Sequence, residues 1–246
     1  SYRVDNFNFT NQTTISHTGS SQETVAFSAF AKMNPFYEKY TEDGQVPKYV
    51  YKDTSVGGET IWNPLWDFRQ GSYRKGDIMS ITDNFQFEWR ATRQLRLRGN
   101  LQYSTSKTTN ETYVSPNETS QDGLEPRKRG SYNNTNQTNT RYSGRLNATY
   151  GGYWGVNTLN VVAGMQISDN HTKGHSYGVQ GYLNDQFSNP NFSVGYPEGG
   201  RPSSTDTHSR NVSYYANLNY AWDMRYLMDI NLSRSGASQF GIDDPF

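Results

Sequence analysis

Cysteine is absent from the 246 residues, which excludes a disulfide framework and any thiolate metal site and leaves packing and backbone hydrogen bonds to hold the fold. No stretch approaches the ~18 consecutive apolar residues of a spanning helix, and the opening residues Ser1 to Asp5 carry no apolar signal-peptide segment. Charge of one sign is missing too: Lys+Arg and Asp+Glu both number 23, so the net charge is zero. Without a basic field the chain has no general attraction for phosphate backbones, and nucleic acid is not an expected partner. Hydrophobic residues reach only 33%, with a mean hydropathy of -0.92. Such a polar chain would ordinarily be disordered, yet aromatics make up 15%, with 19 Tyr, 12 Phe and 5 Trp, and disordered chains are poor in rings.

What the sequence does contain is alternation. Met79, Ile81, Phe85, Phe87 and Trp89 fall on one side of a period-two stretch, with Asp83 the single break, and Ser80, Thr82, Asn84, Gln86 and Glu88 fall on the other. Leu95, Leu97, Leu101 and Tyr103 repeat the pattern opposite Arg96, Arg98, Asn100 and Gln102. Further runs carry Tyr142, Leu146 and Tyr150; Leu159, Val161, Met165 and Ile167; Val212, Tyr214, Leu218, Tyr220 and Trp222; and Tyr226, Met228, Ile230 and Leu232. A weaker run through Phe7, Phe9 and Ile15 makes about seven strands in all. Each spans roughly ten residues or more, longer than the ~5–6 of a typical globular sheet and close to the ~9–11 of a tilted strand crossing a bilayer.

Short and long connections alternate between these strands. Short turns fall at Arg90 to Arg93, Gly151 to Gly155 and Asp223 to Arg225, whereas long polar segments occupy His17 to Lys75, Lys107 to Asn139 and Asp169 to Arg210. Long loops at one end and tight turns at the other describe an outer-membrane β-barrel. Trp89, Tyr150, Trp154, Trp222 and Tyr226 stand beside the short turns, where an interfacial girdle would lie. The expected fold is therefore all-β: an incomplete antiparallel transmembrane β-barrel segment with long extracellular loops, Phe85, Phe87, Leu97, Leu101, Leu146, Val161, Leu218 and Ile230 facing lipid. A soluble or surface glycan-binding β-sandwich is the alternative, and a passive porin segment a third. One short helical turn is expected within Thr24 to Asn34.

Val212 to Tyr220, followed by Asp223-Met224-Arg225-Tyr226-Leu227 and Arg234 to Gly241, resembles a signature of the SusC/RagA-like TonB-dependent outer-membrane transporters. In those proteins an Asn-x-x-Tyr strand end precedes a D-x-R-Y-L turn and a DGSSRFG segment; Ser235, Ala237 and Gln239 are the departures. Met33 to Tyr37 with Glu42-Asp43-Gly44 is similar to the family's NPYY…DEDG segment, Trp62 to Leu65 to its NPL, and Gly181 to Asp185 fits the long loop before the signature strand.

The resemblance implies that residues 1–246 form part of a TonB-dependent receptor barrel domain, with the plug, the TonB box, the signal peptide and the C-terminal strands outside this sequence. It implies a bacterial outer-membrane location, a lipid surround, a glycan or peptide ligand, a SusD-like surface lipoprotein over the mouth, and energy delivered by the TonB complex through the N-terminal part.

No enzyme chemistry and no cofactor are expected. His171 and His175 have helical i, i+4 spacing but sit in Gly/Asn/Ser-rich sequence read as a solvated loop, so no metal site is expected. Asp243-Asp244 and Glu42-Asp43 are adjacent pairs, which point apart on an extended chain and cannot act as an acid–base couple. Arg96, Arg98, Arg141 and Arg145 lie on the polar face, solvated in a wet lumen, paired with acidic plug residues or attracting anions. Among loop aromatics, Trp62, Trp66, Tyr113 and Tyr177 are the candidates for substrate contact, because a ring face recognises a sugar or a side chain without charge.

Overall fold

Turns of two to four residues set the register of everything that follows. Gly155 and Val156 alone join Trp154 to Asn157, with Gly155 at φ 60° as a tight hairpin demands; once Trp154 faces Asn157, each further pair along both strands is determined. The computed structural model describes residues 1–55 and 58–238. Its strands are β1 (Tyr2–Val4), β2 (Phe7–Gln22), β3 (Tyr49–Lys52), β4 (Thr60–Trp62), β5 (Tyr73–Arg90), β6 (Leu95–Val114), β7 (Ser131–Trp154), β8 (Asn157–Tyr182), β9 (Ser193–Gly195), β10 (Ser203–Trp222) and β11 (Tyr226–Ala237); α1 (Phe27–Ala31) and α2 (Pro64–Phe68) are single-turn helices.

The main sheet runs β1-β2-β5-β6-β7-β8-β10-β11, antiparallel at every step, with β9 paired to the end of β8. Seven strands are long, as the alternation predicts, and β1 and β9 are short additions. No second sheet packs face to face on this one among the described residues; β3 and β4 form a separate ribbon inside the first loop. A β-sandwich is therefore not what the chain builds. The sheet does not close on itself, and the fold is a section of an antiparallel β-barrel.

The strands are longer than the apolar stripes that reveal them. β7 has 24 residues and β8 has 26, about 80 Å of extended chain. Parts of the segments read as loops, Lys107–Val114, Ser131–Asn139, Asp169–Tyr182 and Ser203–Arg210, are strand. Alternation vanishes there because both faces are polar. Pairing is carried instead by the backbone ladder and by cross-strand side-chain bonds such as Thr109 Oγ1 to Asn136 Oδ1 at 2.8 Å, Thr172 Oγ1 to Asn139 Oδ1 at 3.2 Å and Ser176 to Ser203 at 2.8 Å.

One face is apolar over the half of the sheet next to the short turns. Phe7 stacks on Phe87 at 5.9 Å, Tyr103 meets Tyr142 at 5.0 Å, and Trp222 stacks on Tyr226 at 5.3 Å. Gly99 is required in this row, since a Cβ there would stand 2.0 Å from the Phe87 ring. Leu101, Leu146, Ile167, Ile230 and Leu232 remain exposed. A water-soluble sheet would cover such a surface with a second layer.

Candidate functional site

Opposite the short turns, three loops fold against one another. The first covers residues 23–72 and contains α1, β3, β4 and α2; the second covers 115–130; the third covers 183–202 and contains β9. α1 lies inside Thr24 to Asn34, as expected. α2 follows from local sequence: Pro64 suits the first helical position, and the Asn63 side chain accepts from Leu65 N at 3.1 Å as an N-cap. Asn63 is only 1% exposed and spends its amide on Lys39 O at 3.1 Å and Pro47 O at 2.9 Å, so the Asn-Pro-Leu motif pins the loop from within.

Polar side chains clamp the first loop to the second. Lys48 Nζ and Tyr49 Oη both donate to Asp122, the latter at 2.6 Å. Asp67 accepts from the backbone N–H of Thr119 at 2.8 Å and from its hydroxyl, and Trp66 Nε1 donates to Asn117 O at 2.9 Å. Desolvation alone would raise the Asp122 carboxyl; hydrogen bonds from Lys48 and Tyr49 outweigh it and hold the group below its ordinary range.

Beneath the loops lies the only cluster of buried hydrophobic residues among those described: Tyr113, Tyr132, Val179 and Tyr182, flanked by Tyr73 and Tyr177. Tyr73, Tyr113, Tyr132 and Val179 occupy one row across β5, β6, β7 and β8. Gly181, at φ +86°, turns the chain out of β8; a Cβ there would lie 2.3 Å from Arg127 O. That turn lets Tyr182 N donate to Arg129 O at 2.8 Å and brings its ring onto Tyr113. Burial pushes the hydroxyls of Tyr113 and Tyr132 up to about 12 and raises Tyr182 further. The Tyr113 hydroxyl has no hydrogen-bond partner among the described residues.

The four sequence candidates are divided by this arrangement. Tyr113 is 0% exposed, and Tyr177 lies beside it with its ring 6.2 Å from Tyr132. Trp62, at the end of β4, is 37% exposed and packs one edge on Tyr49 at 4.8 Å, while Trp66 sits in α2 with its indole N–H committed to the second loop. Tyr113 and Tyr177 thus share one cluster, and Trp62 and Trp66 stand in the first loop with separate partners, Tyr49 and Asn117. The clamp residues Lys48 and Asp122 have no sequence signal of their own; the tyrosines at strand ends do, because rings terminating polar strands have nothing else to cover.

His171 and His175 lie on strand β8 rather than in a loop. His171 faces His208 across the β8–β10 ladder with ring centroids 5.1 Å apart. His171 Nε2 is 2.7 Å from Asp206, and His208 Nε2 is 2.6 Å from Asp169, which also accepts from Arg210 Nε at 2.8 Å. Among the described residues no three His, Asp or Glu side chains converge on a metal position. The Gln239 to Gly241 part of the signature and the Asp243-Asp244 pair lie outside the described residues.

The polar face near the short turns carries a separate charged group. Glu88 accepts from Arg90 Nε at 3.0 Å and from Arg98 Nε at 2.8 Å, with Arg96 Nε at 3.8 Å. Arg3 stands in the same row, through Asn8, and Arg145 donates to Gln166 at 2.9 Å.

No protein-family model matches the chain, and no curated protein matches it. Among solved structures, the RagAB peptide transporter is similar over 96% of this chain and 27% of that one, at 12% identity and a TM-score of 0.70. The RagAB peptide importer in its open-open state is similar over 99% of this chain at a TM-score of 0.72 and 11% identity, and in its closed-closed state over 96% at 0.68 and 12%. The chain spans 27% of the length of each of these matches. At this identity the likeness is one of fold: a section of an antiparallel β-barrel, the fold that the resemblance carried by residues 212–227 implies.

Proposed function

We propose that the chain is a section of the wall and outer mouth of a TonB-dependent importer in a bacterial outer membrane. The observation that carries this is the segregation of the three long loops, clamped together, to one end of a sheet whose other end has only tight turns and whose apolar face is uncovered. Lipid covers that face in this reading, and about 30 Å of hydrocarbon matches the apolar half of the strands, leaving their two-sided polar halves to project outward. The likeness to RagAB supports a peptide ligand, with a glycan as the other class, and a SusD-like lipoprotein seated on the loops. The chemistry of the chain is passage, not catalysis. Trp62, Trp66 and Tyr177 offer ring surface to the ligand, whereas Tyr113 is buried beneath Tyr182 and serves as packing.

Cysteine is absent from these 246 residues, so single thiols introduced among them, with any cysteine elsewhere in the protein replaced, report the orientation. In the full-length protein, Phe36→Cys in the first loop and Val156→Cys in the β7–β8 turn are exposed to a membrane-impermeant maleimide on intact cells. Labelling of Phe36→Cys alone is expected, with Val156→Cys reacting after the outer membrane is breached. Equal labelling of both in intact cells overturns the proposal.

A further inference from the structure

We infer that the outward face of β8 and β10, just beyond the apolar stripe, holds the phosphate of an anionic lipid whose acyl chain lies against the stripe. The inference rests on the reading that the apolar face meets lipid, and adds to that contact a lipid of defined chemistry. Charge on this part of the sheet is sorted by face. Within 168–176 of β8 and 203–211 of β10, the face continuous with Ile167 and Val212 carries Asp169, His171, Lys173, His175, Asp206, His208 and Arg210. The other face of the same stretches carries only Ser, Thr, Asn and Gly. Water solvates either face of a strand equally well, so solubility does not explain the sorting.

Bases outnumber acids in this group. Asp169 accepts from Arg210 Nε and lies 2.6 Å from His208 Nε2, and Asp206 lies 2.7 Å from His171 Nε2 and 3.7 Å from Lys173 Nζ. Each carboxylate thus stands between two bases, holding them in place and reducing their mutual repulsion. Arg210 uses Nε for Asp169, which leaves the end-on fork of its two Nη groups for a second anion. The Arg210 side chain is 67% exposed and that of Lys173 62%. From the flanking strands, β7 presents Asn136, Thr138, Thr140 and Tyr142 opposite the group, and β11 presents Arg234 opposite Tyr214. Neither strand adds a carboxylate to this face.

Position selects an amphiphile over a free anion. Asp169 follows Ile167, and Arg210 precedes Val212, by two residues on the same face, about 6.8 Å. Leu101, Tyr103, Tyr142, Ile167 and Val212 line an apolar groove whose lining also includes Asp169 and Arg210. A molecule seated there meets hydrocarbon and cation within one headgroup's reach, which a lipid with an anionic phosphate satisfies at both ends.

The test places a bimane fluorophore on Ile167→Cys in the full-length protein, with any other cysteine replaced, in phosphatidylcholine vesicles. Quenching by dibrominated phosphatidylglycerol is compared with quenching by dibrominated phosphatidylcholine at equal mole fraction. Phosphatidylglycerol should quench as if enriched about fivefold at this site, and less as salt rises. Its charge is constant from pH 8 to 5.5, so enrichment should grow over that interval as the imidazoles gain charge. Lys173→Gln/Arg210→Gln should reduce the enrichment to about twofold or less, and His171→Gln/His208→Gln should remove its growth in acid. Arg141→Gln, on the lumen face of β7, should change neither. Unchanged quenching by phosphatidylcholine shows that each variant is folded. Equal quenching by the two lipids, or an enrichment that survives Lys173→Gln/Arg210→Gln, overturns the inference and leaves the proposed function standing. A fluorophore that neither lipid quenches overturns both, because protein rather than lipid would then cover this face.

Discussion

Tyr113 and Tyr182 meet edge to face, 5.2 Å between ring centroids, at the point where β6 and β8 run into the loops. They are 0% and 1% exposed. The Tyr182 hydroxyl lies 3.4 Å from Ser188 O, whereas that of Tyr113 has no partner among the described residues. Removing the Tyr113 hydroxyl relieves a desolvated polar group without opening a cavity. Tyr113→Phe is therefore expected to leave stability unchanged or raise it. Tyr113→Ala removes the ring and should cost about 3–5 kcal/mol. Denaturant midpoints of the full-length protein, followed by tryptophan fluorescence, separate the two; a large loss in Tyr113→Phe contradicts the packing role.

Asp122 should make the clamp between the first and second loops acid-labile. Its folded-state carboxyl is held below the ordinary value, so its contribution is complete above the unfolded pKa of about 3.9 and is lost as pH falls through the lower folded value. Amide exchange in residues 47–50 and 118–123 should stay slow at neutral pH and accelerate only below that range. In Asp122→Asn it should be fast at both.

Asn63 makes three hydrogen bonds from a buried position. Asn63→Ala leaves the carbonyls of Lys39 and Pro47 and the N–H of Leu65 without that partner, a loss of about 1–3 kcal/mol. Limited proteolysis should cut the first loop several times faster, with the β5–β8 ladder unaffected.

Val161 and Asn160 are neighbours on β8 that point to opposite faces. Val161→Arg places a charge on the apolar face and should cost about 2–4 kcal/mol if that face meets the bilayer centre. Asn160→Arg faces the wet side and should cost far less. Urea unfolding from lipid vesicles gives the comparison, and equal losses would contradict a lipid-facing surface.

Trp62 keeps its exposed edge while packing on Tyr49, and Trp66 is tied to Asn117. Trp62→Ala should weaken ligand uptake several-fold, by about 1 kcal/mol per lost ring contact, without changing loop protection. Trp66→Ala should increase amide exchange at residues 117–119 as well. Uptake measured beside amide exchange distinguishes contact from scaffolding.

The long strands and the end at which each connection lies were legible because alternation and turn chemistry are local. Phe85, Phe87 and Trp89 identify β5 by period alone, and Gly155 marks a hairpin. Strand ends were not legible where both faces are polar: Asn133 to Asn139 has no period, yet it is paired residue by residue because the hairpin at Gly155 has already set the register. The same blindness placed His171 and His175 in a loop.

Sequence by itself determined the class of sheet, its apolar stripe and the polarity of its loops, since each follows from residues at most a few positions apart. Tertiary structure decided what the loops do. Lys48 and Asp122 are 74 residues apart and become partners only when the first loop folds onto the second. Tyr113, by sequence a loop aromatic and a candidate for substrate contact, is in the fold a β6 residue at the centre of a buried cluster, because the row formed with Tyr73, Tyr132 and Val179 places it beneath Tyr182. The arginines around Glu88 likewise come together across β1, β5, β6 and β7, since pairing order brings five separated cations onto one patch of a chain whose net charge is zero.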